Sequence, residues 1–321
     1  MKKTIHLSLI LFLIPFLWKS AGTALFAQQL PYYTQFKTNM YMLNPAITGT
    51  KRTIDVRLND RMQWVGYDGA PRTEGFSLHS RFYKGKMGVG MSVVKDQIGP
   101  STQTAIAASY AYHIRFPDVE LSLGAAGNLT KYTLDGSKIT LHNNQDPAIN
   151  QGTSSYDWVP DASFGAYLYN DRFHVGISAL HFIQSKAEFY KNDSAKKGII
   201  KYATHANFSV GYNYSTNPDY VLENTIFVNY VAGTPLMLNY TVRLHYLSKF
   251  FAGVSLRPGD AIALLVGATF FDNFQVSYSY DILMSKLSPY SHGSHEIMLS
   301  YSHNLHINKS KFIHQRYAYM F

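Results

Sequence analysis

Apolar and polar residues alternate with a period of two along most of the chain after residue 52. The clearest run is 236–247, where Leu238, Tyr240 and Val242 point to one side and Asn239 and Thr241 to the other. Such alternation is typical of a β-strand with one apolar and one polar face. Helical stripes of apolar residues are scarce in this region, and it contains no run of 18 apolar residues. The body of the chain is therefore predicted to be β-sheet.

Fourteen strands follow from this alternation. They are predicted at 53–64, 72–83, 86–97, 100–115, 119–134, 161–170, 171–183, 201–215, 219–231, 236–247, 249–257, 261–271, 273–284 and 295–305. Most are longer than the roughly 5–6 residues of soluble strands and approach the roughly 9–11 that a tilted membrane strand needs. The sequence predicts an all-β fold: a transmembrane antiparallel outer-membrane β-barrel of about 14 strands over 53–305, surrounded by lipid.

The connections between these strands differ in length. Several are tight and rich in turn residues, such as Arg257-Pro258-Gly259-Asp260. Three are long and polar: 135–160, 184–200 and 285–294. Because outer-membrane barrels keep short turns in the periplasm and long loops outside, we expect these three to project from the cell.

The first residues have the features of a secretory signal peptide. Lys2 and Lys3 precede an apolar run that ends near Trp18, which is shorter than the about 20 residues of a membrane-spanning helix. We expect cleavage after Ala27, so that residues 1–27 are removed and the mature protein reaches the cell outer membrane as an integral protein.

Two flanking regions leave alternatives open. Residues 28–52 contain Asn44-Pro45 and Gly49, which favour turns, and are otherwise apolar; they form either an irregular plug in the lumen or a hydrophobic lead-in strand. Residues 306–321 form either a C-terminal extension or an extra strand. The even strand number of bacterial barrels favours the extension.

Composition and motifs argue against an enzyme. The chain has no cysteine, which excludes zinc–thiolate sites and cysteine nucleophiles. Its net charge is +9 and 15% of its residues are aromatic, but it has no block of basic residues and so gives no sign of nucleic-acid binding. His292, His295 and Glu296 lack zinc-protease spacing, and Ser77 with His79 lacks a third orienting group. We predict no catalytic residues, no metal site and no cofactor, with an outer-membrane hydrolase as the least favoured reading.

Four segments resemble the PorP/SprF family of type IX secretion and gliding proteins of the Bacteroidetes. They are the opening stretch with Tyr33-Thr34-Gln35-Phe36, Asn39, Asn44-Pro45-Ala46 and Gly49; the run Trp64-Val65-Gly66-Tyr67-Asp68-Gly69-Ala70-Pro71; residues 88–99 followed by Ser109-Tyr110-Ala111-Tyr112; and Gly293-Ser294-His295-Glu296-Ile297. The resemblance covers about 28–305.

This resemblance implies a non-enzymatic accessory of type IX secretion or gliding motility. Such a protein supports export or surface attachment of a cognate secreted adhesin and contacts other type IX secretion components. The residues that the resemblance marks as partner-binding are Asn44, Pro45, Gly49, Trp64, Asp68, Gly69 and Pro71. A barrel of this size also suits the alternative of a passive outer-membrane channel or hydrophobic-solute transporter.

Overall fold

A computed structural model of the chain describes residues 31–82, 85–139, 154–189 and 198–304. The signal sequence predicted at 1–27 and the tail predicted at 306–321 lie outside the described residues. In the part that is described, fourteen antiparallel strands form a closed barrel, which confirms the predicted fold class.

The barrel strands follow the chain order with one interruption. Their bounds are β1 Thr53–Met62, β2 Arg72–Phe82, β3 Met87–Ile98, β4 Ser101–Arg115, β5 Glu120–Asp135, β6 Ser154–Tyr169, β7 Phe173–Leu180, β10 His205–Asn217, β11 Tyr220–Val231, β12 Met237–Tyr246, β13 Phe250–Arg257, β14 Ala261–Phe270, β15 Phe274–Leu283 and β16 Ser294–Asn304. A separate hairpin, β8 Lys186–Phe189 and β9 Gly198–Lys201, lies between β7 and β10. β1 pairs with β16 from Thr53↔Asn304 to Met62↔His295 and closes the ring.

The two faces of the wall have opposite chemistry. On β1, Asp55, Arg57 and Arg61 point inward and are buried, whereas Leu58 points outward and is 50% exposed. The same holds on β12, where Thr241 is buried and Tyr240 is exposed. This arrangement places apolar side chains against lipid and polar ones in the lumen, as a membrane barrel requires. Among the described residues, no helix is long and apolar enough to cross a membrane.

The connections sort onto two ends of the barrel. The three longest connections follow β5, β7 and β15, and these three strands all finish at the same end of the barrel, which we call the long-connection end. The opposite end, where β1 begins, has the tight turns after β4, β6, β10, β12 and β14, and we call it the short-turn end.

One part of the wall rises above the rest at the long-connection end. β6 pairs with β5 along its full length but with β7 only from Phe164 to Tyr169. The hairpin β8–β9 packs on the remaining part of β6, with an apolar cluster of Tyr132, Val159, Ala187, Phe189 and Tyr202. This arrangement differs from the sequence prediction, which began this strand at 161 and expected no strands in 184–200.

Candidate functional site

Residues 31–52 lie inside the barrel, and we call them the lumenal segment. The segment has two short 3₁₀ turns, Met40–Leu43 and Pro45–Ile47, joined at Asn44. Asn44 Oδ1 accepts a hydrogen bond from Ala46 N at 2.9 Å, while its Nδ2 donates to Ala166 O of β6 at 3.2 Å and Ile177 O of β7 at 3.1 Å. Asn44 therefore sets the bend of the segment and attaches it to the wall.

The lumenal segment runs from one end of the barrel to the other. Near its start, the hydroxyl of Thr34 donates to Asp281 on β15 at 2.8 Å, and its amide donates to Glu296 on β16 at 2.7 Å. Both carboxylates belong to the long-connection end. Gly49 lies beside Gly88 at the short-turn end, where β3 begins.

A buried ion cluster holds the start of the segment. Arg61 Nη2 and Arg257 Nη2 each lie 2.7 Å from Asp281, and Arg61 Nη1 lies 3.1 Å from Glu296. The side chains of these four residues are nearly fully buried. Removing one partner from such a cluster costs about 3–5 kcal/mol, because a buried charge is left uncompensated.

Two further ion groups lie closer to the short-turn end. Glu223 accepts from Arg243 Nε at 2.6 Å and pairs with Lys37 of the segment at 3.3 Å. Asp55 pairs with Arg57 at 2.6 Å and with Lys51 at 3.1 Å. The segment thus contributes Lys37 and Lys51 to ion groups of the wall.

Strand glycines make room for the segment. A Cβ on Gly124 would lie 2.4 Å from the backbone of Pro45 and Ala46, and one on Gly88 would lie 2.2 Å from Thr48 O. A Cβ on Gly165 would lie 2.0 Å from Asn44 Oδ1. Any side chain at these positions would displace the segment, so the wall is shaped to fit it.

Apolar contacts fill the space between the ion groups. Phe36 packs on Phe227 of β11 with ring centroids 5.1 Å apart, and Tyr41 packs on His79 of β2 at 4.8 Å. A small apolar cavity with a free volume of about 20 Å³ remains beside Phe36 and Met237. That volume holds one or two water molecules, since one needs about 10–15 Å³ by this measure.

The structure separates the predicted partner-binding residues into two groups. Asn44, Pro45 and Gly49 are buried in the lumen and contact the wall. A partner could reach them only if the segment left the lumen. Their role in partner binding stays a prediction.

The second group lies on the β1–β2 connection, 63–71, at the long-connection end. Asp68 and Gly69 are exposed, Trp64 is half-buried and Pro71 is buried. Backbone bonds from Val65 N to Gly293 O and from His292 N to Val65 O, both 2.8 Å, fix this connection against the one before β16. Here too the partner role stays a prediction, but the exposed residues are accessible.

The residues considered for catalysis have structural partners. Ser77 accepts from Asn39 Nδ2 at 3.0 Å, and His79 Nδ1 accepts from Gly49 N at 3.2 Å. Glu296 points into the lumen, whereas His295 contacts Tyr278 at 2.6 Å on the outer face. Among the described residues, no group of three His, Asp or Glu side chains is placed to hold a metal ion.

The sequence alone does not show which charged side chains of the lumen pair with one another. The carboxylates that pair with arginines of the wall are Asp55, Glu120, Glu223, Asp281 and Glu296, and the segment adds Thr34, Lys37 and Lys51. The available signal was that a charged residue at an inward position of a membrane strand needs a buried partner.

Sequence comparison identifies the family. Residues 25–301 match the Type IX secretion system membrane protein PorP/SprF family. The chain belongs to this family. The match confirms the predicted resemblance, and with the barrel fold it places this PorP/SprF protein in the outer membrane. No curated protein matches the chain.

Solved barrels are similar to this PorP/SprF protein in fold. The toluene transporter TbuX of Ralstonia pickettii has a TM-score of 0.50 and 11% identity, with 83% of this chain and 93% of TbuX covered. The CymD monoaromatic hydrocarbon channel has a TM-score of 0.48 and 14% identity over 85% of this chain and 93% of its own. At 11% identity, the similarity to TbuX shows a shared outer-membrane barrel fold and nothing about function.

Proposed function

We propose that this PorP/SprF barrel is a non-enzymatic accessory of type IX secretion and gliding, which supports export or surface attachment of a cognate adhesin and contacts other secretion components. Family membership supports the link to type IX secretion. The observation that carries the proposal is the lumenal segment, which spans the barrel. Hydrogen bonds from Thr34 to the carboxylates of a buried ion cluster hold it at one end, and ion pairs of Lys37 and Lys51 hold it toward the other. A lumen occupied in this way suits a partner-binding protein better than a passive pore.

The surface that best suits adhesin contact is the 63–71 connection. Asp68 is exposed, and Tyr67 is 52% exposed on a backbone fixed by bonds to 292–293 and to Gly99. An aromatic side chain on a rigid backbone loses little entropy on binding and can act as an anchor.

A deletion strain complemented with variants tests this function. Deletion should leave one large adhesin inside the cell while other exported proteins reach the surface. Wild-type protein should restore its export, and the double variant Tyr67→Ala with Asp68→Ala should not, although its barrel is folded. Leu236→Ala, a 60% exposed residue at the same end on the β11–β12 connection, is the matched control and should restore export. Surface proteomics reads the result, and an unchanged surface proteome in the deletion strain would contradict the proposal.

Hydrophobic-solute transport is the second candidate, supported by the fold similarity to TbuX and by the apolar cavity beside Phe36. The cavity is smaller than an aromatic ring, so transport would require the segment to move. Under this alternative the deletion strain would take up a monoaromatic compound more slowly and keep its surface proteins.

A further inference from the structure

A second cavity lies between the lumenal segment and the wall, toward the short-turn end. We call it the cationic cavity. The segment contributes Lys37 and Lys51 to it, and the wall contributes Arg57 of β1 and His79 of β2. The other lining residues are uncharged. The lining holds three cationic side chains and no carboxylate.

Charge is not balanced around this cavity. Lys51 and Arg57 both pair with Asp55, and Lys37 and Arg243 both pair with Glu223. Around Asp55 two cations meet one carboxylate, so this group carries excess positive charge. The Arg61 cluster differs, because its two arginines pair with the buried carboxylates Asp281 and Glu296 and with the more exposed Asp260. Excess charge in a buried, low-dielectric site is costly and favours a bound counter-ion.

The cavity has the size and the donors that a small anion needs. Its free volume of about 40 Å³ corresponds to three or four water molecules. That is the room taken by a carboxylate or a phosphate group. His79 Nδ1 accepts a hydrogen bond from Gly49 N, so the ring proton of the neutral imidazole is on Nε2, where it is a donor.

We propose that the cationic cavity binds a small oxyanion, with Lys51, Arg57 and Lys37 supplying the charge and His79 a hydrogen bond. Phosphate and carboxylate share this chemistry, since both present charged oxygens to ammonium and guanidinium donors. Because the lysines belong to the segment and Arg57 and His79 to the wall, the bound anion would join the two.

Anion titration of the mature full-length protein, folded in detergent at pH 7, tests the proposal. Inorganic phosphate, sulfate and acetate are titrated separately by calorimetry at constant ionic strength, with chloride as the background salt. At least one oxyanion should bind saturably at one site per chain. Binding by phosphate and sulfate would identify a phosphate-type ligand, and binding by acetate a carboxylate-type ligand. No saturable binding of any of the three would overturn the proposal.

Variants then place the site. Lys51→Gln should weaken binding by about tenfold or more, the effect of losing one charge-assisted hydrogen bond. Lys51→Arg keeps the charge and should retain binding. Lys95→Gln removes a half-exposed lysine from the outer face and is the matched control. Heat-modifiable mobility in electrophoresis verifies that each variant is folded. Equal affinity in wild type and folded Lys51→Gln would overturn the assignment to this cavity.

Discussion

At the scale of single residues, glycines lie on the strands where the lumenal segment passes closest to the wall. Gly88, Gly124 and Gly165 lie on three different strands, and each lacks room for a Cβ because the segment is in contact. Glycine weakens a strand interior, so its presence there indicates close approach of another backbone. Here the lumenal segment is the neighbour, through its backbone at Gly88 and Gly124 and through the Asn44 side chain at Gly165.

A pair of glycines on β5 allows a controlled test of this contact. Gly124→Ala places a Cβ 2.4 Å from Pro45 and Ala46, whereas Gly127 has nothing within 4 Å and points outward. We expect Gly124→Ala to lower the free energy of unfolding by about 1–3 kcal/mol through overpacking. Urea unfolding in lipid vesicles measures the change, and Gly127→Ala should remain near wild type. Equal stability of the two variants would mean that the segment is not seated against β5.

At the scale of elements, β6 shows where sequence prediction succeeds and where it fails. Its lower part was predicted because lipid on one face imposes strict alternation. Alternation does not predict its upper part, 154–160, because Asp157 and Pro160 are turn-forming residues. In the structure these residues and Asp161 protect an edge: Asp157 accepts from Trp158 N at 2.9 Å, Asp161 accepts from Ala162 N at 2.7 Å, and Pro160 has no N–H.

The Asp161 carboxylate also holds the chain that follows β7. Its Oδ1 accepts from Ile183 N at 2.9 Å as well as from Ala162 N. In Asp161→Ala both amides lose a charged acceptor. A hydrogen bond to a charged group contributes about 1.5–3 kcal/mol to stability. Hydrogen exchange of 181–189 should therefore accelerate by at least tenfold, as read by mass spectrometry. Asp171→Ala, exposed in the short turn after β6, is the control and should leave this exchange unchanged. Unaltered exchange in Asp161→Ala would show that other contacts hold this region.

The pairing of the charged residues in the lumen could not be predicted from the sequence. Alternation identifies Arg61 and Asp281 as inward-facing, but they are separated by 220 positions in the chain. Their pairing depends on ring closure and strand register, neither of which is encoded near either residue. The same reason hid the contact between Thr34 and Glu296.

At the scale of the whole molecule, the two ends of the barrel should face opposite compartments. The long-connection end is expected outside the cell and the short-turn end in the periplasm. Because the chain lacks cysteine, single cysteines report each end: Tyr290→Cys at the long-connection end and Phe271→Cys at the short-turn end, where the wild-type side chains are 69% and 93% exposed. A membrane-impermeant maleimide should label Tyr290→Cys on intact cells and Phe271→Cys only after lysis. The opposite pattern would reverse the orientation.

The contact of Thr34 with both Arg61 and Glu296 bears on how the ring is completed. Arg61 and Glu296 face each other across the β1–β16 seam, where the first and last strands of the barrel meet. Thr34 accepts from Arg61 on one side and donates to Glu296 on the other, so the segment fastens the seam from within. Removing the start of the lumenal segment, including Thr34, would then disturb the pairing of β16 with β1 during membrane insertion. Such a truncation would be recovered as a misassembled barrel rather than as an unplugged pore.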